Sequence, residues 1–190
     1  DVTEEDIKQF NARSWAHEEL LGRTALATGT TLSGIVAGDD YCAAEYLCSR
    51  PEVNPERVGC TGLSVGSVRT IFLGALHPKV RASVAVCWMC GYQPLIRNNV
   101  RYIVGFSKLV PGLYTKLDWP DLAGLHWPGA LMCINGLKDE LYPLENAKEA
   151  FAKVEKIFAK MDAPNNFQGV FFDGPHEFNR EMQEKAFAWL

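Results

Sequence analysis

Four short apolar runs set among helical stretches constrain this chain more than any other feature. Val58-Gly59-Cys60-Thr61 behind Arg57, Ala82 to Trp88, Ala130 to Ile134, and Gly169 to Phe172 are near-continuous in apolar residues rather than alternating apolar with polar. A strand reads that way when both of its faces are covered, as in a parallel sheet sandwiched by helices. The segments between fit that arrangement, with helical periodicity from Ser67 to Leu76, Leu144 to Met161 and Asn179 to Leu190. Lys148, Lys153, Lys156 and Lys160, with Glu145, Glu149 and Glu155, read as the solvated face of the second of these helices. Strands alternating with helices predict the α/β class, a three-layer parallel sheet forming one domain over residues 1–190.

Two more helices are expected ahead of the first strand. Thr3 offers a hydroxyl to cap free backbone N–H groups, and Glu4, Glu5 and Asp6 suit the positive end of a helix dipole. That helix is expected to reach Leu21. A second runs from Leu32 to Leu47, interrupted by Gly34 and Gly38 and closed by Ser49-Arg50-Pro51. Residues 89–128 lack clear periodicity and far exceed the ~2–6 residues of an ordinary strand-to-helix connection. Such an excursion is expected to act as a lid or a pocket wall.

Composition removes several classes of function. With 190 residues, 47% hydrophobic and 22% charged, the chain can bury a core and is neither disordered nor coiled coil. A net charge of −4 supplies no field to neutralise phosphates, so no nucleic-acid partner is expected. No stretch reaches the ~18 apolar residues of a membrane span, and no basic start leads into an apolar signal core. The chain begins at Asp1 rather than methionine, and nothing in it selects a compartment. Six cysteines are too sparse for a disulfide framework; Cys60, Cys87 and Cys133 lie in strand runs and are expected as buried thiols. Cys87-Trp88-Met89-Cys90 holds a CxxC pair without a second pair or a histidine couple, so no metal or redox cofactor is expected.

The chemistry concentrates at Gly62-Leu63-Ser64-Val65-Gly66, between a strand and a helix. In that setting the serine sits on a sharp turn that holds its hydroxyl above the sheet, and flanking glycines relieve the crowded backbone. The Val65 N–H, at the start of the helix, would face a developing oxyanion. The competing reading is a serine in an ordinary glycine-rich turn. A serine hydroxyl needs a base, and the base needs an orienting acid. Asp139 follows the third strand and His176 the fourth, so both would meet Ser64 along one sheet edge. Asp139 could instead cap a helix, with Glu140 or Asp121 as the acid. His17 falls within a helix, His77 at a helix end, and His126 ahead of the third strand, at the wrong edge. Trp88 and Met89 either shape the substrate pocket beside Ser64 or pack in the core.

Gly59 through Gly66, Val86-Cys87-Trp88-Met89, Ile134-Asn135-Gly136 through Asp139 to Pro143, and Gly174-Pro175-His176-Glu177 resemble the catalytic half of the α/β-hydrolase superfamily. Within it, they are similar to bacterial dienelactone-hydrolase-like and acetyl xylan esterase-like enzymes, from about Leu32 onward. The resemblance implies Ser64 as nucleophile, His176 as general base and acid, and Asp139 as its orienting carboxylate. It implies carboxylic ester substrates, often acetyl groups on carbohydrate, and no metal or organic cofactor. Ser67 stands where such proteins usually carry a second glycine. The larger departure is at the front: strands and a loop carrying a second oxyanion donor precede the serine strand in that family, whereas here the preceding residues read as helices. The first strand is therefore expected to be an unpaired edge, completed by a second copy of the chain or by an upstream segment. A missing donor would cost about 10²–10³-fold in rate.

The sequence thus points to a serine esterase working through an acyl-enzyme on short-chain esters. Peptidase, lactonase and acyltransferase chemistry use the same groups. A non-catalytic scaffold that keeps the three residues without a working oxyanion hole is the alternative from another class.

Overall fold

A computed structural model describes residues 2–93, 95 and 105–190. The elements, numbered along the chain, are α1 (Glu4–Ala27), α2 (Leu32–Ser49), β1 (Val58–Leu63), α3 (Val65–Leu76), β2 (Val80–Val86), α4 (Trp119–Gly124), β3 (Ala130–Gly136), α5 (Leu144–Lys160), β4 (Phe167–Phe172) and α6 (Arg180–Trp189). All four strands are parallel, in the order β1-β2-β3-β4. Each strand therefore lies beside its predecessor. Among the described residues β1 forms one edge and pairs with β2 alone.

The helix starts follow local chemistry. Thr3 and Asp6 form a reciprocal capping box, with the Asp6 N–H donating to Thr3 Oγ1 at 3.2 Å and the Thr3 N–H to Asp6 Oδ2 at 2.9 Å. Thr31 Oγ1 accepts from the Gly34 N–H at 2.8 Å at the head of α2, and Asn179 Oδ1 from the Met182 N–H at 3.1 Å at the head of α6. Helix α5 buries Ala147, Ala150, Phe151, Val154 and Phe158, the three-and-four spacing of one helical face, and leaves its lysines outside.

Strand parity sorts the core into two layers. Ala85, Leu131 and Cys133 face α3, α4 and α5, where they meet Val68, Ile71, Leu122 and Phe158. Val84, Val86, Met132 and Ile134 point the other way, onto Met182 and Ala186 of α6. Successive residues on a strand thus serve opposite faces, which is why these runs contain no polar alternation. The burial is worth on the order of 25 cal/mol per Å² of apolar surface. Helices α1 and α2 pack outside α3 and leave Phe10, Leu20, Leu21 and Tyr46 exposed.

The expected lid at 89–128 is in part a packed wall. Trp119 and Trp88 meet edge to face, with ring centroids 4.2 Å apart, and Tyr114 stacks on Tyr92. The Asp118 carboxylate accepts the Tyr92 N–H at 2.9 Å and the Trp119 N–H at 2.7 Å, tying the two ends of the segment together. Positions 94 and 96–104 of the expected lid lie outside the described residues.

Candidate active site

Each of the four strands ends on one residue of the site: Ser64 after β1, Cys87 after β2, Asp139 beyond β3 and His176 beyond β4. Ser64 is the single residue between β1 and α3, and its backbone is left-handed in sense, with φ 56° and ψ −112°. The Ser64 N–H continues the ladder by donating to Val86 O at 2.9 Å, while its carbonyl already accepts from Ser67 N at 2.9 Å and Val68 N at 3.2 Å. Strand bonding and helix bonding meet on one residue. Holding a non-glycine residue there costs about 1–3 kcal/mol, which the surrounding packing offsets. A side chain on Gly62 would sit 2.4 Å from the Gly66 carbonyl, so the turn closes only with glycine at 62. At Gly66 the same construction meets open space, so only one of the two glycines is demanded by crowding.

The acid and the base are joined before they meet the serine. The Leu137 N–H donates to Phe172 O at 2.8 Å and the Lys138 N–H to Gly174 O at 2.9 Å, extending the β3–β4 pairing past the sheet. Gly136 permits this approach, since a Cβ there would lie 2.4 Å from the carbonyls of Gly174 and Pro175. His176 Nδ1 then lies 2.8 Å from Asp139 Oδ2, and the Leu141 N–H donates to Asp139 Oδ1 at 2.9 Å. The Asp139 side chain is 0% exposed and that of His176 22%. Of the rival groups, Asp121 caps α4 and pairs with Lys153, and His126 is buried between Gly74 O and Ala130 O.

Among the described residues no direct hydrogen bond joins Ser64 to His176. Catalytic contacts of this kind are often long without substrate and tighten once it is bound. Tyr142 lies beside both: the Ser64 side chain is near enough to its hydroxyl to favour the phenolate, against the larger effect of burial, and its ring centroid is 5.8 Å from that of His176. Burial raises the Tyr142 phenol well above its ordinary range, with smaller contributions from nearby Cys90, Asp139 and Cys87. It remains a neutral hydroxyl. Sequence reasoning missed this residue, because a buried tyrosine three positions past an aspartate looks like packing. Its one signal was the turn following Asp139, which carries it back toward the serine.

Trp88 and Met89 lie in the core, at 1% and 0% exposure, against Trp119 and Leu131. Their burial gives them packing as a role; neither presents surface to solvent. Cys87 is likewise sealed and carries φ 52°, which turns its sulfur toward the Glu177 carbonyl at 3.4 Å. Burial, partly opposed by backbone hydrogen bonds, pushes its thiol up to about 11. Val65 begins α3, directly after Ser64, where a first-turn N–H has no acceptor within the helix and the helix end carries a partial positive charge.

A parallel sheet with helices on both faces and a strained serine between its first strand and the next helix is the α/β-hydrolase type of fold. No protein-family model matches the chain. YtaP of Bacillus subtilis strain 168, a protein named as a hydrolase, is 25% identical over 181 residues, spanning 95% of this chain and 60% of its own length. Glucuronoyl esterase from Solibacter usitatus superposes with a TM-score of 0.68 at 14% identity, over 83% of this chain and 47% of that one. BF1801 from Bacteroides fragilis, named as an acetyl xylan esterase, gives a TM-score of 0.67 at 16% identity, over 82% of this chain and 40% of that one. The chain therefore spans less than two thirds of the length of each of these proteins.

Proposed function

We propose that the protein hydrolyses carboxylic esters through a serine acyl-enzyme, with Ser64 as nucleophile, His176 as base and acid, and Asp139 as the orienting carboxylate. The observation that carries this reading is the Asp139–His176 hydrogen bond of 2.8 Å on the strand-end edge that also holds the strained Ser64. Ser64 Oγ attacks the ester carbonyl carbon and His176 Nε2 takes its proton. The Val65 N–H stabilises the oxyanion, and collapse expels the alcohol, which receives the proton from His176. Water repeats the sequence, releasing the acid and restoring Ser64. With Nδ1 bonded to Asp139, the proton of neutral His176 sits on that nitrogen and Nε2 is free to accept.

Short acyl esters of carbohydrates are the substrate class we favour. Two of the similar folds carry names of carbohydrate esterases, acetyl xylan and glucuronoyl, and the half-buried setting of Ser64 suits a small acyl group. The test is labelling of the full chain with a fluorophosphonate, alongside a panel of aryl acetates, acetylated xylose and peptide anilides. Labelling of Ser64, abolished in Ser64→Ala and strongly reduced in His176→Ala, with turnover of the acetyl esters, is expected. An unlabelled, inactive but folded chain would favour the scaffold alternative. Turnover confined to the anilides would replace the esterase reading with a peptidase.

A further inference from the structure

Cys87 stands outside the ester chemistry, yet its sulfur, an Asp139 carboxylate oxygen and a His176 ring nitrogen all lie within 4.8 Å of one another. The partner of Cys87 is thus the Asp–His pair, not Cys90, the other half of the CxxC spacing. We propose that these three side chains form a binding site for a thiophilic divalent cation, Zn²⁺, whose occupancy switches the hydrolase off.

The donor set is one sulfur, one imidazole nitrogen and one carboxylate oxygen, each a common zinc ligand. With bonds of about 2.0–2.3 Å, tetrahedral ligands stand roughly 3.3–3.8 Å apart, so no pair has to close by more than about 1.5 Å. The 2.8 Å acid–base contact opens by about half an ångström to admit the ion. All three groups come from adjacent strand ends, β2, β3 and β4, so the frame is shared. Part of a supporting shell is also present: the Leu141 N–H holds the other carboxylate oxygen at 2.9 Å, while the thiol's bond to the Glu177 carbonyl, 3.4 Å long, is given up as the thiolate forms. A thiolate and a carboxylate balance the dication, so a closed site carries no net charge, which limits the cost of burying it. The partly exposed face of His176 is the way in, and a water completes the fourth position.

The step balances in protons and explains the inhibition. Cys87 loses its thiol proton to solvent as the Zn–S bond forms. The metal displaces the proton from His176 Nδ1, and that proton moves to Nε2. His176 then presents an N–H to Ser64 where it had a lone pair, so it cannot accept the serine proton. This last consequence rests on the serine-esterase reading; metal binding itself does not.

Full-length protein freed of metal by chelator dialysis is titrated with ZnCl₂ by calorimetry, and with CoCl₂ while near-ultraviolet absorbance reports thiolate-to-cobalt charge transfer. One equivalent binds, the charge-transfer band appears, and hydrolysis falls in proportion and returns with EDTA. Ser64→Ala, devoid of hydrolysis, keeps both binding and band. Losing even an outer-shell partner of a metal site costs about 10–100-fold in affinity, so Cys87→Ala is expected to lose at least ~100-fold and the band. His176→Gln loses a comparable amount while keeping the thiol, which covers the case of a misfolded cysteine variant. Cys42 and Cys48 on α2 remain in every variant and define the background. Equal zinc affinity in wild type, Cys87→Ala and His176→Gln would overturn the site. Tight zinc binding together with no hydrolysis by the metal-free wild type would retain the site and remove the esterase reading.

Discussion

Replacing Asp139 by asparagine separates orientation from packing, because the neighbours of this residue dictate how the amide settles. The Leu141 N–H donates to Asp139 Oδ1 at 2.9 Å, and a backbone N–H accepts nothing, so the amide oxygen of the variant must stay on that side. Its NH₂ then faces His176 Nδ1, 2.8 Å away in the native protein. Two donors cannot meet there, so Nδ1 becomes an acceptor and the ring proton moves to Nε2, opposite Ser64. The base is converted into a donor without any loss of volume. In serine hydrolases the equivalent change lowers kcat by about 10⁴, or roughly 5.5 kcal/mol of transition-state stabilisation. The measurement is kcat and KM for a short aryl acetate, with thermal melting to establish that the variant is folded. A fall of about 10³–10⁵ in kcat with KM within a few-fold is expected. A folded variant retaining more than a tenth of wild-type kcat would refute the orienting role.

Two further predictions concern the frame. Gly62→Ala places a Cβ 2.4 Å from the Gly66 backbone and is expected to lower the melting temperature and abolish fluorophosphonate labelling, whereas Gly66→Ala meets open space. The second change should be neutral or stabilise by up to ~1 kcal/mol as a glycine leaves a helix; a melting curve lowered equally by both would contradict the elbow geometry. His126 contacts two carbonyls, Gly74 O at 2.7 Å and Ala130 O at 3.0 Å, yet burial lowers its pKa below the ordinary 6.5. The unfolded chain therefore takes up this proton first, so stability is full above about pH 6.5 and falls as acid is added. Urea unfolding at pH 5 and pH 7 should show a smaller difference in His126→Gln than in wild type, and an unchanged difference would count against it.

The strand-and-helix order was legible because β2 and β3 are covered on both faces, leaving runs such as Val84 to Val86 and Leu131 to Ile134 without polar interruptions. Strand ends were less so. β2 begins at Val80, ahead of the charged Arg81, where the pairing with β1 shifts register, and β4 at Phe167, ahead of Gln168, where the pairing with β3 is regular; both polar side chains break the apolar run. Helix α1 continues to Ala27, past the expected stop at Leu21: Gly22 does not end it but lies against the Phe106 side chain, where a Cβ would come within 2.2 Å. Ser64, Asp139 and His176 could be placed on one edge from the sequence because residues that follow parallel strands share the carboxyl-end rim of the sheet. Tyr142 and Cys87 could not be read as part of the site, since their roles arise from a chain reversal and a positive φ, and side-chain type records neither. Trp88 and Met89 illustrate the opposite ambiguity: large apolar residues beside a strand end suit a pocket and a core alike, and only their enclosure by Trp119 distinguishes the two.

One clustered side chain at each strand end, Ser64, Cys87, Asp139 and His176, makes alignment between strands the ruler of their spacing. A residue advances a strand by about 3.3 Å, more than the whole 2.8 Å span between Asp139 and His176. Sliding any one strand a single step would thus detach its group and also turn its core side chains outward. No hairpin fixes these four strands relative to one another, so the interlocking of α3, α5 and α6 with the sheet serves as the gauge that sets the distances among these side chains.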